Sequence, residues 1–211
     1  MEYIVTIARQ SGTCGREIGL KLSALAGLPF YDNNLIKLAA EKSGMSEEVL
    51  EDYDEKASNS LLYALVTGGS SFGHSFAGHN MTLNDKLFVA QADILKGIAE
   101  EGKGAVIVGR CADYVLSGYE KLIKVFVMAG FENRVKTVIE REGLNKGEAR
   151  DFIVKTDKKR SGYYNYYTGE KWGRPDNYDL VINSGDIGSG GAAAVILEFM
   201  KQRQQQYTGE E

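Results

Sequence analysis

Residues 3–19 read YIVTIARQSGTCGREIG. The apolar run from Tyr3 to Ala8 predicts a β-strand, and apolar residues from Ile18 to Ala26 recur at helical spacing. The loop between these two segments carries Gly12 and Gly15. A strand, a glycine-bearing loop and a helix in this order present backbone N–H groups and the positive end of a helix to an anion such as phosphate. The stretch therefore predicts a phosphate-binding loop, the alternative being an ordinary strand–turn–helix with a surface arginine.

The loop departs in three places from the usual phosphate-loop signature, Gly-x-x-x-x-Gly-Lys-Ser/Thr. When Gly15 is taken as the second glycine, Gln10 stands at the first, Arg16 replaces the lysine and Glu17 replaces the hydroxyl residue. Arg16 can supply charge to phosphate oxygens, although arginine and lysine are not interchangeable there. Glu17 cannot replace a hydroxyl ligand of magnesium without changing the local charge. The loop indicates phosphoryl chemistry, but its usual magnesium ligand is missing.

Length and composition limit the class of protein. The chain has 211 residues and a net charge of −4, with 43% hydrophobic and 26% charged residues. These values fit one α/β domain and argue against a dedicated nucleic-acid binder, which would carry a basic surface. No apolar run approaches membrane-spanning length, and the first residues lack the pattern of a secretory leader. A cytoplasmic protein without membrane contact is the expectation.

The two cysteines, Cys14 and Cys111, have no metal-type spacing. They are expected to be reduced structural thiols. The alternative for Cys14 is a lowered thiol pKa and sensitivity to oxidation, because it lies in a loop rich in N–H donors. The two histidines, His74 and His79, lie in a glycine- and serine-rich stretch without nearby ligand partners and are interpreted as loop residues.

The rest of the chain alternates short apolar runs with helical patterns. Four further strands are predicted at residues 28–32, 105–108, 122–128 and 178–183. Helices are predicted at residues 35–42, 46–56, from Thr82 or Asn84 to about Gly102, through a basic region at 131–160, and at 187–206. Residues 58–80 are interpreted as a mobile connection or partly ordered insertion. Strands that are apolar on both faces and separated by helices predict a five-stranded parallel sheet covered on both sides.

The order of these parts resembles the cytidylate kinase-like branch of the P-loop nucleoside monophosphate kinases. The resemblance covers nearly the whole chain and rests on five segments: residues 11–19, 29–32, 108–110, 157–160 and 178–183. It implies a three-layer P-loop NTPase fold with strand order 2-3-1-4-5 in a single domain over residues 1–211. It also implies a monophosphate-binding helical insertion at about residues 33–80 and a lid at about 145–175.

The activity that the resemblance implies is transfer of the γ-phosphoryl group from ATP, with Mg²⁺, to a nucleoside monophosphate, with CMP or another pyrimidine nucleotide favoured. The implied partners are small nucleotides, and no oligomeric state is indicated. The implied nucleotide-binding residues are Ser11, Gly12, Thr13, Cys14, Gly15, Arg16, Glu17 and Asp32, with no protein ligand to the metal. Arg16 also counts among the implied catalytic cations, together with Arg110, Lys158 and Arg160.

Each of these assignments has a specific role and a structural alternative. Arg110 would bind the acceptor phosphate or serve as an ion-pair partner, and Asp32 would begin acceptor recognition or cap a helix. Arg160, with Lys158 or Lys159, would close over the transferring group or form a solvated helix end. The aromatic residues from Tyr163 to Trp172 are expected to pack rather than stack on a base, and to become ordered when both nucleotides bind.

One further position departs from the family pattern. Cys111 stands where classical cytidylate kinases have an aspartate, and Asp113 is the candidate replacement. Two alternative functions follow from the departures. The first is a nucleotide-binding sensor with weak turnover, and the second is a kinase of another small metabolite, since a fold does not fix a substrate.

Overall fold

The computed structural model describes residues 2–32 and 83–208. The predicted helices at 35–42 and 46–56, the insertion at about 33–80, and both histidines lie outside the described residues. The chain divides into two compact units, residues 1–32 with 95–211 and residues 33–94. In the second unit the structure describes only residues 83–94, which begin a long helix. All five strands belong to the first unit.

The described strands and helices are numbered in the order in which they occur along the chain. The strands are β1 Ile4–Arg9, β2 Phe30–Tyr31, β3 Ala105–Val108, β4 Leu122–Met128 and β5 Leu180–Asn183. The helices are α1 Gly15–Ala26, α2 Leu83–Glu100, α3 Ala112–Val115, α4 Phe131–Glu142, α5 Lys146–Thr168 and α6 Gly188–Thr208. A 3-10 turn covers Pro175–Asn177. In the part of the chain that the structure describes, no helix combines the length and apolarity needed to span a membrane.

The strands form one parallel sheet in the order β2-β3-β1-β4-β5, as predicted. β1 is central: Val5 pairs with Val106 on one side and with Ile123 on the other. Because all strands run in the same direction, their carboxyl ends meet at one edge of the sheet, which we call the carboxyl edge. The phosphate loop, Asp32, Arg110 and Ser184 all follow strands at this edge.

The main core joins the sheet to α1 and α6. It includes Ile18 and Leu22 of α1 and Ile196 and Met200 of α6, all fully buried. A smaller cluster joins α4 to α5 through Val135, Val138, Ala149 and Ile153. Both clusters use apolar residues at helical spacing, so each helix buries one side and leaves charged residues on the other.

β2 and β5 are shorter than predicted. Leu28 is tied to the end of α1, because its N–H donates to the Ser23 carbonyl and its own carbonyl accepts from the Ser23 hydroxyl. Pro29 has no N–H to donate to a neighbouring strand. Tyr178 likewise belongs to the preceding turn, since its N–H donates to the Pro175 carbonyl.

The predicted basic helical region is two helices. α4 ends at Glu142 and is capped by Gly143, which has a φ of 68°, and α5 begins after Asn145. The Asn145 side chain accepts from the Glu148 N–H, and the Glu148 carboxylate accepts from the Asn145 N–H. This reciprocal pair is a capping box, a local signal for a helix start. α5 then continues through the tyrosine run to Thr168.

Candidate active site

The phosphate loop ends at an uncapped helix. Cys14 is the N-cap residue of α1, with a left-handed φ of 58° and no side-chain hydrogen bond to the helix. The Ile18 N–H is bonded to the Cys14 carbonyl, whereas the N–H groups before it have no partner within the helix. Such a terminus combines N–H donors with the positive end of the helix dipole and can bind an anion.

Gly12 is required by both backbone conformation and space. Its φ is 80°, and a β-carbon there would lie 2.7 Å from the main-chain oxygen of Arg134. Any other L-residue would be strained and would also push against α4. The loop is therefore packed directly on the α4 backbone.

The other loop side chains hold the loop on the sheet. The Thr13 hydroxyl donates to the Gln10 carbonyl at 2.9 Å, and the Thr13 carbonyl accepts from the Ser184 hydroxyl at 3.2 Å. Gln10 replaces the first glycine of the signature, and its side chain accepts from the Ala129 N–H, just after β4. The loop is thereby connected to the ends of β4 and β5.

Arg16 and Glu17 both have partners other than a phosphate or a metal. Arg16 Nε donates to Asp32 Oδ2 at 2.5 Å, and the Arg16 side chain is 67% exposed whereas that of Asp32 is 9% exposed. Glu17 accepts from Lys21 and from Ser189, and these hydrogen bonds lower the pKa of its carboxyl. The structure brings Arg16 and Asp32 together and links Glu17 to α6.

Arg110 lies in a strained turn after β3. Gly109, Arg110 and Cys111 have φ values of 82°, 66° and 52°, so three consecutive residues are left-handed. For residues other than glycine this conformation costs about 1–3 kcal/mol and persists where surrounding structure enforces it. Arg110 is half-buried at the carboxyl edge, beside the end of β1.

Arg9 is a site residue that sequence reasoning did not select. A β-carbon on Gly15 would lie 2.6 Å from Arg9 Cγ, and one on Gly109 would overlap Arg9 Nη1. The Arg9 side chain therefore extends from the start of α1 to the residue before Arg110. Its position as the last residue of β1 was the available signal, since that places its side chain at the carboxyl edge.

α5 brings Arg160 to this edge but not Lys158. Arg160 Nη1 donates to the Arg9 carbonyl at 3.1 Å. Lys158 is exposed and, two residues earlier, lies on nearly the opposite side of the helix. Lys159 is half-buried. The Arg160 contact joins the helix to the strand that precedes the phosphate loop.

A buried carboxyl links α5 to the turn that carries Arg110. Asp113, 6% exposed, accepts a hydrogen bond from the Tyr164 hydroxyl at 2.9 Å. Burial raises the pKa of Asp113, and burial together with Asp113 raises the pKa of Tyr164. Tyr164 thus remains a hydrogen-bond donor. The sequence suggested Asp113 as a replacement for the aspartate that classical cytidylate kinases have at the position of Cys111. In the structure its partner is Tyr164.

This burial gives a prediction about pH. A carboxyl with a raised pKa in the folded state favours folding below its ordinary value near 3.8 and loses that contribution as the pH rises. Asp113→Asn should therefore gain stability relative to the native protein as the pH rises above about 4. Unfolding free energies from urea titrations would measure the difference, with exposed Asp151→Asn as control. A difference that is constant, or that moves against the variant as pH rises, would contradict the prediction.

The aromatic residues after Arg160 pack mainly on protein. Trp172 meets Phe126 edge to face at 5.3 Å between ring centroids, and Phe126 lies 5.0 Å from Tyr178. Tyr163 and Tyr167 are 4.7 Å apart. The predicted packing role fits these contacts.

The alternative of a lowered thiol pKa for Cys14 is wrong. Burial, followed by the nearby Glu17 carboxylate, raises the pKa of Cys14 rather than lowering it. Cys111 is buried, and burial raises its pKa as well. Both cysteines are free thiols. Among the described residues, no group of three or more His, Cys, Asp or Glu side chains could hold a metal ion.

Two curated relatives match the chain at the same level of identity. A cytidylate kinase of Archaeoglobus fulgidus is 26% identical over 150 residues, which cover 65% of this chain and 80% of that protein. A uronate isomerase of Corynebacterium glutamicum is 26% identical over 166 residues, which cover 77% of this chain. This chain therefore covers less than a third of the length of the isomerase, because the match spans only 31% of that protein.

Solved structures agree on the fold. An uncharacterized protein from Eubacterium ventriosum is 27% identical, with a TM-score of 0.72 and coverage of 96% of this chain and 99% of that one. Shikimate kinase from Bacteroides thetaiotaomicron is 12% identical, with a TM-score of 0.55 and coverage of 94% and 98%. A gluconokinase from Sinorhizobium meliloti is 13% identical, with a TM-score of 0.55 and coverage of 97% of each chain. The predicted three-layer P-loop fold is confirmed.

The sequence profile of one family extends over most of the chain. It is described as the cytidylate kinase-like family and matches residues 4–186, from the start of β1 to just beyond β5. The match includes the phosphate loop, the turn with Arg110 and the whole of α5. The chain belongs to the cytidylate kinase-like family.

Proposed function

We propose that the protein transfers the γ-phosphoryl group of ATP to a nucleoside monophosphate, with CMP or another pyrimidine nucleotide as acceptor. The observation that carries the proposal is the set of arginines beside the uncapped start of α1. Arg9 ends β1, Arg110 follows β3, and Arg160 reaches the Arg9 carbonyl from α5. Phosphoryl transfer is catalysed mainly by positioning and by neutralising charge, and these residues offer both.

The proposed donor site is the loop from Ser11 to Glu17. The N–H groups at the start of α1 would bind ATP phosphates, and Gly12, Thr13, Cys14 and Gly15 would set their direction. Arg16 would add charge at the loop surface, where its side chain is largely exposed. The uncapped helix terminus and the cations near it fit a polyphosphate.

No group of three or more possible metal-ligating side chains lies together among the described residues. Glu17, at the position of the usual hydroxyl ligand, is hydrogen-bonded to Lys21 and Ser189. Magnesium retains much of its hydration shell and can be held largely by nucleotide phosphates. We therefore propose that Mg²⁺ arrives with ATP and assign no protein ligand to it.

The proposed acceptor site lies on the β2–β3 side of the loop. Arg110 would bind the acceptor phosphate, and the ion pair of Arg16 with Asp32 would connect donor and acceptor sides. Residues 33–80 are the proposed monophosphate-binding insertion. Residues 145–175 are the proposed lid, in which Arg160 and Lys158 would approach the transferring group on closure. Because free nucleotides are the substrates, the proposed location is the cytoplasm and no nucleic-acid partner is invoked.

A nucleotide sensor is the second candidate. The observation that favours it is that Arg16 and Glu17, which replace the signature lysine and hydroxyl residue, both have protein partners. A kinase of another small metabolite shares the same donor site.

An acceptor panel separates these functions. We expect ADP release from Mg-ATP to be stimulated most by CMP or UMP among the common nucleoside monophosphates, gluconate and shikimate. Stimulation by a non-nucleotide acceptor alone would replace the nucleotide assignment. ATP binding without stimulation by any acceptor would favour the sensor, and absence of ATP binding would reject the donor site.

A further inference from the structure

Ser11, the residue before Gly12, is held by a closed set of three hydrogen bonds. Its N–H donates to Asp157 Oδ1 at 2.7 Å, and its carbonyl accepts from Arg134 Nη1 at 3.3 Å. Arg134 Nη1 also donates to Asp157 Oδ2 at 2.6 Å. Asp157 comes from α5 and Arg134 from α4, so two helices bind both main-chain polar groups of one loop residue.

Arg134 and Asp157 are mostly buried, so the charge of each depends on the other for compensation. The Arg134 side chain is 9% exposed and that of Asp157 is 19% exposed. Arg134 Nε is buried without a hydrogen-bond partner among the described residues. Both hydrogen bonds described for Arg134 are donated by Nη1, and its guanidinium carbon lies 5.3 Å from the centroid of the Phe131 ring. Loss of one partner of a buried ion pair leaves an uncompensated charge, which is far more disruptive than loss of an exposed pair.

The same residues define the conformation of the next loop position. The Gly12 α-carbon packs so closely on the main chain of Arg134 that a β-carbon would be only 2.7 Å from its oxygen. Ser11 is bonded directly to Gly12, and Arg134 packs against it, so both can affect the position of Gly12, whose φ of 80° turns the chain toward α1. The path from Asp157 to the start of α1 is continuous through Ser11 and Gly12.

We propose that Asp157 and Arg134 are positioning residues that hold the phosphate loop in its anion-binding conformation before nucleotide arrives. The expected change in ATP affinity rests on the proposed function, whereas the expected change in loop conformation does not. Neither residue is assigned a contact with nucleotide. Their action is through the two main-chain groups of Ser11.

The chain contains a matched control for a purely structural role. Asp179 also accepts from a backbone N–H and from an arginine: Lys124 N lies 2.8 Å from Oδ2, and Arg203 Nη1 lies 3.0 Å from Oδ1. Asp179 precedes β5 and so lies at the amino end of that strand, whereas the phosphate loop lies at the carboxyl edge. Asp157→Asn and Asp179→Asn therefore remove similar carboxylates, but only Asp157→Asn is expected to change the phosphate loop.

The experiment compares the two variants by hydrogen exchange and by Mg-ATP titration. Without nucleotide, Asp157→Asn should raise exchange in a peptide covering residues 10–17 at least several-fold, while Asp179→Asn should leave that peptide unchanged. If only about one molecule in ten then has a competent loop, ATP affinity falls about tenfold. Melting temperatures of both variants report any general loss of stability. The rise in exchange of residues 10–17 in Asp157→Asn should be larger than its loss of stability accounts for.

Two results would overturn the inference. One is native-like exchange of residues 10–17 in Asp157→Asn, and the other is equal loop exchange in both variants. If the native protein binds no ATP, the proposed function fails, yet the exchange comparison still decides the positioning role. Arg134→Lys provides a second variant if Asp157→Asn does not fold. It keeps the charge but loses the planar fork, so a smaller rise in loop exchange is expected, and its absence would count equally against the inference.

Discussion

Replacement of Arg160 by alanine is expected to lower kcat by about 10³-fold, the scale of losing a cation that stabilises a phosphoryl-transfer transition state. Arg160 already contacts the end of β1, since its Nη1 lies 3.1 Å from the Arg9 carbonyl. Its guanidinium is therefore next to the donor loop. We expect Arg160 to bind the transferring group more strongly in the transition state than in the ground state. KM for ATP should therefore change much less than kcat.

Lys155→Ala is the control for this prediction, because Lys155 is an exposed cation on the same helix. It should retain native kcat. Lys158→Ala tests the second proposed lid cation, which lies on the other side of α5 from Arg160 and reaches the site only if the lid rearranges. Steady-state rates with saturating acceptor would measure all three variants. A kcat for Arg160→Ala within a few-fold of the native value would remove Arg160 from the reaction.

The contacts of α5 also constrain how a lid could move. Asp157, Arg160 and Tyr164 recur at helical spacing and contact Ser11, Arg9 and Asp113 respectively. Opening of the whole proposed lid, residues 145–175, would break all three contacts. Closure on nucleotide binding remains a prediction, and hydrogen exchange across α5 with and without both nucleotides would test it.

The sheet could be predicted because its signal is local. β1, β3 and β4 are continuous apolar runs, and burial of both faces is typical of a parallel sheet. The strand order came from the family resemblance. The split between α4 and α5 was not predicted, although the sequence carries its signals. Gly143 is an ordinary helix stop, and the Asn145–Glu148 pair is an ordinary helix start. The tyrosine run obscured the continuation of α5 because aromatic residues occupy nearly every position there.

The contacts that organise the site were much less accessible to sequence reasoning. Ser11 and Asp157 are separated by 146 positions, and Asp113 and Tyr164 by 51. No local pattern encodes such pairs. Arg134 reads as one more charge on an amphipathic helix, although it is 7% exposed in the fold. The sequence therefore indicated the loop and the class of ligand that it would bind, but not the side chains that hold the loop in place.

Replacement of Arg110 by alanine is expected to impair use of the acceptor severely while ATP binding survives. Loss of a charge-assisted contact to a desolvated phosphate costs about 2–5 kcal/mol, which corresponds to tens- to thousands-fold in kcat/KM for the monophosphate. Alanine retains the β-carbon, so the left-handed turn at 66° is no easier or harder for the variant to adopt. A defect can therefore be attributed to the guanidinium and its contacts rather than to relief of backbone strain.

Lys103→Ala is the matched control, because Lys103 is an exposed cation just before β3 whereas Arg110 follows the same strand. Mg-ATP titration, melting temperature and the acceptor-dependent rate should be measured on both variants. Native-like ATP affinity and melting with a rate lost only in Arg110→Ala would support an acceptor contact. A parallel loss of ATP affinity would instead move Arg110 to the donor site.

In a nucleotide sensor, acceptor would stimulate neither native protein nor variant, and Arg110→Ala would leave the low background of ADP release unchanged. The same pair of proteins thus distinguishes transfer from binding alone, because a transferase requires an acceptor-dependent rate for Arg110 to control.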